Sequence, residues 1–257
     1  MGRTEVRIYL MDRRAEAREK LRERRYEEAA AMYEELARAA GPERPQDLAF
    51  LSGAYWKLGR VADALRVGRE ALDVASAGAD ESAEALAACS LGSAMLDDFL
   101  NKGPSAPDWD VFGEAMDLLG RAAALYEGFG SVDYAASLLS MAEGYCTVEI
   151  YDTADALYGR VSQELMAVRW SETVALEHHT DYLRGRAFLG HGVVALHSGR
   201  RDDASHYLEV AANLLLAGDP GIFPRDVEKI AGLFETKLDD PDTAEAVREA
   251  LARHLAE

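Results

Sequence analysis

Five segments of this chain share one pattern of small and bulky residues, and this repetition constrains the fold more than any other feature. In each segment a charged or small residue precedes an alanine, and a bulky residue follows three or four positions later on the same helical face. The segments are RYEEAAAMYEEL, RVADALRVGREAL, VFGEAMDLLGRAA, IYDTADALYGRV and RRDDASHYLEVA, with their alanines at Ala29, Ala64, Ala115, Ala154 and Ala204. Repetition of this kind predicts a stack of similar helical units.

A second helix is predicted before most of these segments. It ends at a glycine, as in Leu58-Gly59 and Ser198-Gly199, because glycine adopts the left-handed conformation that closes a helix. One or two turns earlier this helix carries a small residue, which allows two helices to cross closely. These small residues are Ser52, Gly92, Ala142 and Gly192.

The segment from Leu51 to Ala71 resembles the tetratricopeptide repeat (TPR), a helix pair with the pattern L-G…Y…L-G…A…F…A. The matching residues are Leu51, Ser52, Tyr55, Leu58, Gly59, Ala64, Gly68 and Ala71, with serine replacing the first glycine and glycine replacing the second aromatic residue. The resemblance implies an all-α fold, a right-handed superhelical α-solenoid of about six antiparallel helix pairs. It implies one such domain over residues 1–257.

The repeat boundaries follow from the spacings between the marker alanines. These spacings are 35, 51, 39 and 50 residues, against ~34 in an ideal repeat, so the chain contains insertions. The segment NKGPSAPDWD predicts a loop, whereas residues 161–184 lack a helix breaker and predict longer helices, with Ser171 as an N-cap. The predicted repeats are 8–40, 44–78, 81–129 with a loop insertion at 101–110, 131–170 and 171–218, followed by C-terminal capping helices at 222–257.

Composition limits the partner and the compartment. The net charge of −18 argues against general nucleic-acid binding, because phosphate binding requires a positive field. The two cysteines, Cys89 and Cys146, lie far apart and have no CxxC partner, which favours reduced thiols in the cytoplasm. No apolar run approaches the ~18 residues of a membrane helix. We therefore expect an acidic, cytoplasmic protein that does not bind membranes.

No motif for catalysis or cofactor binding is complete. The segment GRAFLGHG has the glycine spacing of a phosphate loop, but His191 and Gly192 replace its lysine and hydroxyl residue. The segment LDDFLN resembles an Asp-rich magnesium motif, but Asn101 replaces the final aspartate. No GxSxG nucleophile motif occurs. We predict no catalytic residue, no metal site and no cofactor.

The resemblance also implies a binding groove, because TPR proteins bind ligands in a concave groove lined by the first helix of each pair. In chaperone-binding members, lysine and asparagine in this groove hold a peptide carboxylate, whereas here Ala49 and Gly53 occupy those positions. Transferring the groove positions by register predicts partner-binding residues Arg14, Arg18, Arg22, Gln46, Ala49, Gly53, Trp56, Lys57, Leu86, Cys89, Ser93, Leu96, Leu139, Glu143, Cys146, Arg186, Leu189, Val193 and His197.

Two features of this groove have alternative interpretations. Residues 1–25 carry nine basic and five acidic side chains, and their arginines either contact an acidic partner or pair with glutamates of the same helix. Trp56 either anchors a partner in the groove or packs between repeats. The sequence leaves both questions open.

The main functional hypothesis is a non-enzymatic protein–protein interaction module, an adaptor or scaffold that binds a peptide or helix of a partner protein. We expect apolar anchors in the groove and acidic partner residues near Arg14, Arg18 and Lys57. An alternative is a sensor that binds a small molecule or signalling peptide, and a third hypothesis is an all-helical enzyme. Self-association is a further alternative, because an apolar groove or an uncovered terminal helix can pair with its symmetry mate.

Overall fold

The computed structural model describes residues 3–39, 41–102, 107–127, 132–168, 174–217 and 224–256. Within these ranges the regular structure is helical. The helices are α1 (Arg3–Arg22), α2 (Tyr26–Arg38), α3 (Arg44–Lys57), α4 (Val61–Gly78), α5 (Glu81–Lys102), α6 (Trp109–Glu127), α7 (Val132–Thr147), α8 (Tyr151–Val168), α9 (Val174–His197), α10 (Arg201–Ala217), α11 (Pro224–Leu233) and α12 (Pro241–Ala256). A π-helical turn, Phe234–Leu238, continues α11.

The helices form consecutive antiparallel pairs, six of them among the described residues. We call the first helix of each pair an A helix (α1, α3, α5, α7, α9 and α11) and the second a B helix. All five marker alanines lie on B helices and are fully buried, which explains the repeated sequence pattern. The predicted all-α, TPR-like fold class is confirmed.

The chain divides into two compact units, each with its own core. The first unit, Met1–Phe129, contains α1 to α6, and Tyr33 and Leu36 are fully buried there. The second unit, Gly130–Glu257, contains α7 to α12, and Ile230 and Phe234 are fully buried there. Within each unit, B helices also pack against the next A helix. The organisation of residues 1–257 as one repeat domain stays a prediction.

Left-handed residues close the A helices α1, α3, α7 and α9, and Asp239, with φ of 58°, closes the π-helical turn that continues α11. Gly59 has φ of 72° and Gly199 has φ of 73°, as the sequence predicted. Arg24 and Glu149 adopt the same conformation, with φ of 60° and 64°, without being glycine. In each turn the left-handed residue and the next residue donate backbone N–H groups to the end of the helix, for example Glu149 N to Cys146 O at 3.2 Å. The same turn geometry therefore occurs even where the left-handed residue is not glycine.

Small residues lie where helices cross, as predicted. A Cβ atom on Gly92 would lie 2.9 Å from Cγ of Leu119, and one on Gly192 would lie 2.7 Å from Cδ2 of Leu208. A Cβ on Gly190 would overlap the ring of Tyr158. The glycines of GRAFLGHG are thus part of the packing of α9 against α8 and α10.

The two predicted insertions lengthen helices more than loops. Helix α5 continues to Lys102 and α6 begins at Trp109, so the connection is shorter at both ends than the predicted loop 101–110. Helix α8 reaches Val168 and α9 runs from Val174 to His197, in agreement with the expected lengthening. The predicted N-cap, Ser171, lies outside the described residues. None of the described helices has the length and hydropathy needed to cross a membrane.

Candidate functional site

Every residue of the predicted groove lies on an A helix, but the side chains differ in accessibility. Five of them are buried between helices, so a partner could reach only the remaining candidates. These five are Ala49, Ser93, Leu96, Leu139 and Leu189. Half-buried positions on the same helices are Gly53, Leu86, Cys89 and Val193.

Arg14 is engaged by a buried carboxylate of the same unit. Its Nε and Nη2 atoms donate to the two oxygens of Asp47 on α3, at 2.9 and 2.7 Å. The Arg14 side chain is 11% exposed and that of Asp47 is 2% exposed. These hydrogen bonds raise the pKa of Arg14, although burial opposes the shift. The pair links the first two A helices and leaves little of Arg14 for a partner.

The other two candidate arginines of α1 differ in their contacts. Arg22 bonds Glu19 of the same helix at 2.9 Å, which is the intrahelical pairing that the sequence offered as one interpretation. The guanidinium of Arg18 lies 5.7 Å from the ring centroid of Phe50, on α3. The acidic-partner interpretation therefore has no support from Arg14 or Arg22.

Trp56 lies partly exposed at the C-terminal end of α3. Its indole Nε1–H donates to Oδ2 of Asp97 at 2.5 Å, so a carboxylate on the next A helix, α5, fixes the orientation of the indole ring. The ammonium of Lys57 lies 3.6 Å from the centre of the indole ring. Trp56 also packs against the core of the first unit. The packing interpretation thus describes part of the environment of Trp56, and its role as an anchor stays a prediction.

A second polar contact joins α3 to α5 at their other ends. Gln46 Nε2 donates to Oδ2 of Asp80 at 2.8 Å, and Oδ1 of Asp80 accepts the backbone N–H of Ala83. Asp80 is therefore the N-cap of α5 as well as the partner of Gln46. The contacts of Gln46 and Trp56 together hold these two A helices in register.

In the second unit, Arg186 of α9 joins three A helices. Its Nη2 lies 2.5 Å from Glu143 of α7, and its Nη1 lies 3.5 Å from Asp226 of α11 and donates to the Tyr182 hydroxyl at 2.6 Å. Burial opposes its charge, but Glu143, Tyr182 and Asp226 together raise the pKa of Arg186. Burial raises the pKa of Tyr182 to about 12.

The sequence identified Glu143 and Arg186 but missed Asp226 and Tyr182. The last helix pair was interpreted as a cap, so its A helix was not included when the groove register was transferred. Extending the register by one more pair would have added α11 to the face and Asp226 to the candidates. Tyr182 precedes Arg186 by one helical turn, so it follows from the register of α9 alone.

The remaining candidates of the second unit contact aromatic rings of α8. The Tyr158 hydroxyl hydrogen-bonds the thiol of Cys146, and burial raises the pKa of both groups. The imidazole of His197 stacks on Tyr151, with ring centroids 4.3 Å apart and planes 22° apart. Cys146 and His197 therefore lie where α7 and α9 meet their neighbouring B helix.

The described residues were compared with the needs of a metal site and of a small-molecule cavity. Within them, no three His, Cys, Asp or Glu side chains are placed to share a metal ion. An open cavity of about 380 Å³ lies in the first unit between α2 and the α3–α4 turn, and Glu27, Glu34 and Arg60 line it. None of the candidate groove residues contributes to that lining.

Comparison with known proteins supports the fold assignment. No protein-family model matches the sequence, and a search of curated proteins found no match. The structure is similar to BtubC (BKLC) from P. vanneervenii, with 16% identity and a TM-score of 0.61 over 96% of this chain and 91% of that chain. It is also similar to a putative kinesin light chain from Podosopora anserina with nearly identical TPR-like repeats, with 17% identity and a TM-score of 0.53 over 80% of this chain and 94% of that chain. A substituted form of that protein gives a TM-score of 0.54. The chain therefore has a TPR-like helical-repeat fold.

Proposed function

We propose that this chain is a non-enzymatic protein–protein interaction module that binds a peptide or helix of a partner protein along its A helices. TPR-like repeats are in general a protein-interaction fold, and the similar structure from Podosopora anserina has nearly identical TPR-like repeats. The finer proposal concerns which face binds and which residues anchor the partner.

The observation that carries the proposal is the environment of Trp56. A large aromatic side chain remains partly exposed on an A helix, and Asp97 fixes its orientation. An aromatic ring held in one orientation buries a large area on binding at a small cost in side-chain entropy, which is the property of an interface anchor. Gly53 lies one turn earlier on α3 and leaves open space beside the ring, because a Cβ there would meet only Ser90 Oγ, at 4.0 Å.

Site-specific photo-crosslinking tests whether this face binds a protein. A photoreactive residue replaces Gly53, where an added Cβ would make no close contact. The matched control replaces Gly113, an exposed glycine of the B helix α6, where an added Cβ would have no neighbouring atom within 4 Å. We expect a covalent adduct with one protein from the Gly53 position and none from the Gly113 position.

The same experiment separates the proposal from its alternatives. Adducts of equal yield at both positions would indicate non-specific capture, and an adduct only at Gly113 would place binding on the B helices. Either result would contradict the proposed face. A small molecule that remains bound through purification would instead favour the sensor hypothesis.

A further inference from the structure

The indole of Trp56 presents one face to a cation in the structure itself. The Lys57 ammonium lies 3.6 Å from the ring centre, within the distance at which a cation is attracted by the negative face of an aromatic ring. Lys57 is exposed, and it precedes the turn that ends α3. Its ammonium therefore has the position that a cationic group of a bound partner would take.

The hydrogen bond to Asp97 strengthens this preference. The Asp97 carboxylate accepts the indole N–H at 2.5 Å. Its negative charge at the edge of the ring shifts π-electron density toward the ring faces, which makes them more negative. The same carboxylate at the ring edge also repels an approaching acidic side chain. The environment of Trp56 thus favours a cation over an anion.

The charge of the chain and the contacts of its cations agree with this preference. The chain has 46 acidic and 28 basic side chains, so its long-range field attracts basic segments. Arg14 is engaged by Asp47, and Arg22 forms an exposed pair with Glu19, so two of the three candidate arginines of α1 have carboxylate partners within the first unit.

We propose that the Trp56 face binds an arginine side chain of the partner, which takes the place of the Lys57 ammonium. Arginine suits this site better than lysine, because its planar guanidinium stacks on an indole and is more weakly hydrated. This inference rests on the proposed function, since it names the chemistry of the partner residue that the A-helix face anchors. It replaces the expectation of an acidic residue near Lys57.

The indole N–H signals of the whole protein in ¹H–¹⁵N NMR spectra test the proposal directly. The chain has three tryptophans, and Trp56→Phe assigns the signal of Trp56. The probe is Nα-acetyl-arginine amide, and the control probe is Nα-acetyl-citrulline amide, which has the same shape without the charge. Trp109, which is 57% exposed on α6, is the internal control for non-specific stacking.

We expect a saturable shift of the Trp56 signal with the arginine probe and none with the citrulline probe. Lys57→Ala removes the competing ammonium, so it should lower the dissociation constant of the arginine probe about two- to fivefold. Lys237→Ala makes the same charge change in the second unit and should leave the constant unchanged. Equal shifts of Trp56 and Trp109, or weaker binding by Lys57→Ala, would overturn the proposal.

The partner trapped at Gly53 gives an independent test. Sequencing of the cross-linked segment should find an arginine within a few residues of the attachment point. A segment with acidic residues and no arginine there would overturn this inference and leave the proposed function standing. Failure of the Gly53 adduct together with a positive arginine titration would contradict the proposed function alone.

Discussion

Arg14 and Asp47 form a bidentate ion pair that joins α1 to α3. The pair is almost removed from solvent, since the two side chains are 11% and 2% exposed. Two opposite charges at such a site compensate each other, whereas either charge alone has lost its hydration without a partner. The pair therefore adds a buried link between α1 and α3 to the packing of α1 against α2.

Asp47→Ala is expected to lower the free energy of unfolding by ~3–5 kcal/mol, because it leaves the Arg14 guanidinium buried without its partner. Urea denaturation followed by circular dichroism measures the change. Glu19→Ala is the matched control, since it breaks the exposed pair with Arg22 on the same helix and should change stability little. Equal losses in the two variants would contradict a structural role for the Arg14–Asp47 pair.

The turn between α7 and α8 should be stabilised by glycine. Glu149 has φ of 64°, and the left-handed conformation costs a residue with a Cβ ~1–2 kcal/mol. Glu149→Gly is therefore expected to raise the melting temperature. Gly59→Ala, in the equivalent turn of the first unit, is expected to lower it by a similar amount. A lower melting temperature for Glu149→Gly would show that the glutamate side chain stabilises the turn.

Gly190 should tolerate no side chain, because a Cβ there would overlap the buried ring of Tyr158. Overpacking of this kind costs ~1–3 kcal/mol or more, so Gly190→Ala should destabilise the second unit. Gly113→Ala has open space and replaces a glycine in a helix, so it should stabilise by ~0.5–1 kcal/mol. Thermal unfolding of the two variants compares them, and a loss of stability in Gly113→Ala would contradict this account.

The sequence predicted the helix pairs well because their signals are local. Buried alanines recur on one helical face, and Gly92 and Gly192 leave room for a crossing helix within their own repeat. Two turns, at Arg24 and Glu149, lack glycine. They could be predicted only by aligning their repeats with those in which Gly59 and Gly199 end the first helix.

The polar contacts of the A-helix face were much less predictable. Asp47 pairs with a residue 33 positions away, and Asp97 with one 41 positions away. No periodicity identifies which carboxylate reaches which cation, because the answer depends on how the A helices pack within each unit. The register therefore placed Arg14 and Trp56 on the right helices but could not show that Arg14 is neutralised and that Trp56 is held by Asp97.

The central claim is that the face around Trp56 binds a partner protein, and Trp56→Ala tests it most directly. Calorimetry measures the affinity of the variant for the protein trapped at Gly53, and thermal unfolding measures its stability. We predict that binding weakens by ~2 kcal/mol or more, about thirtyfold, while the variant stays folded. Unchanged affinity of the folded variant, together with the ~3–5 kcal/mol loss of stability typical of a deleted core aromatic, would contradict the claim.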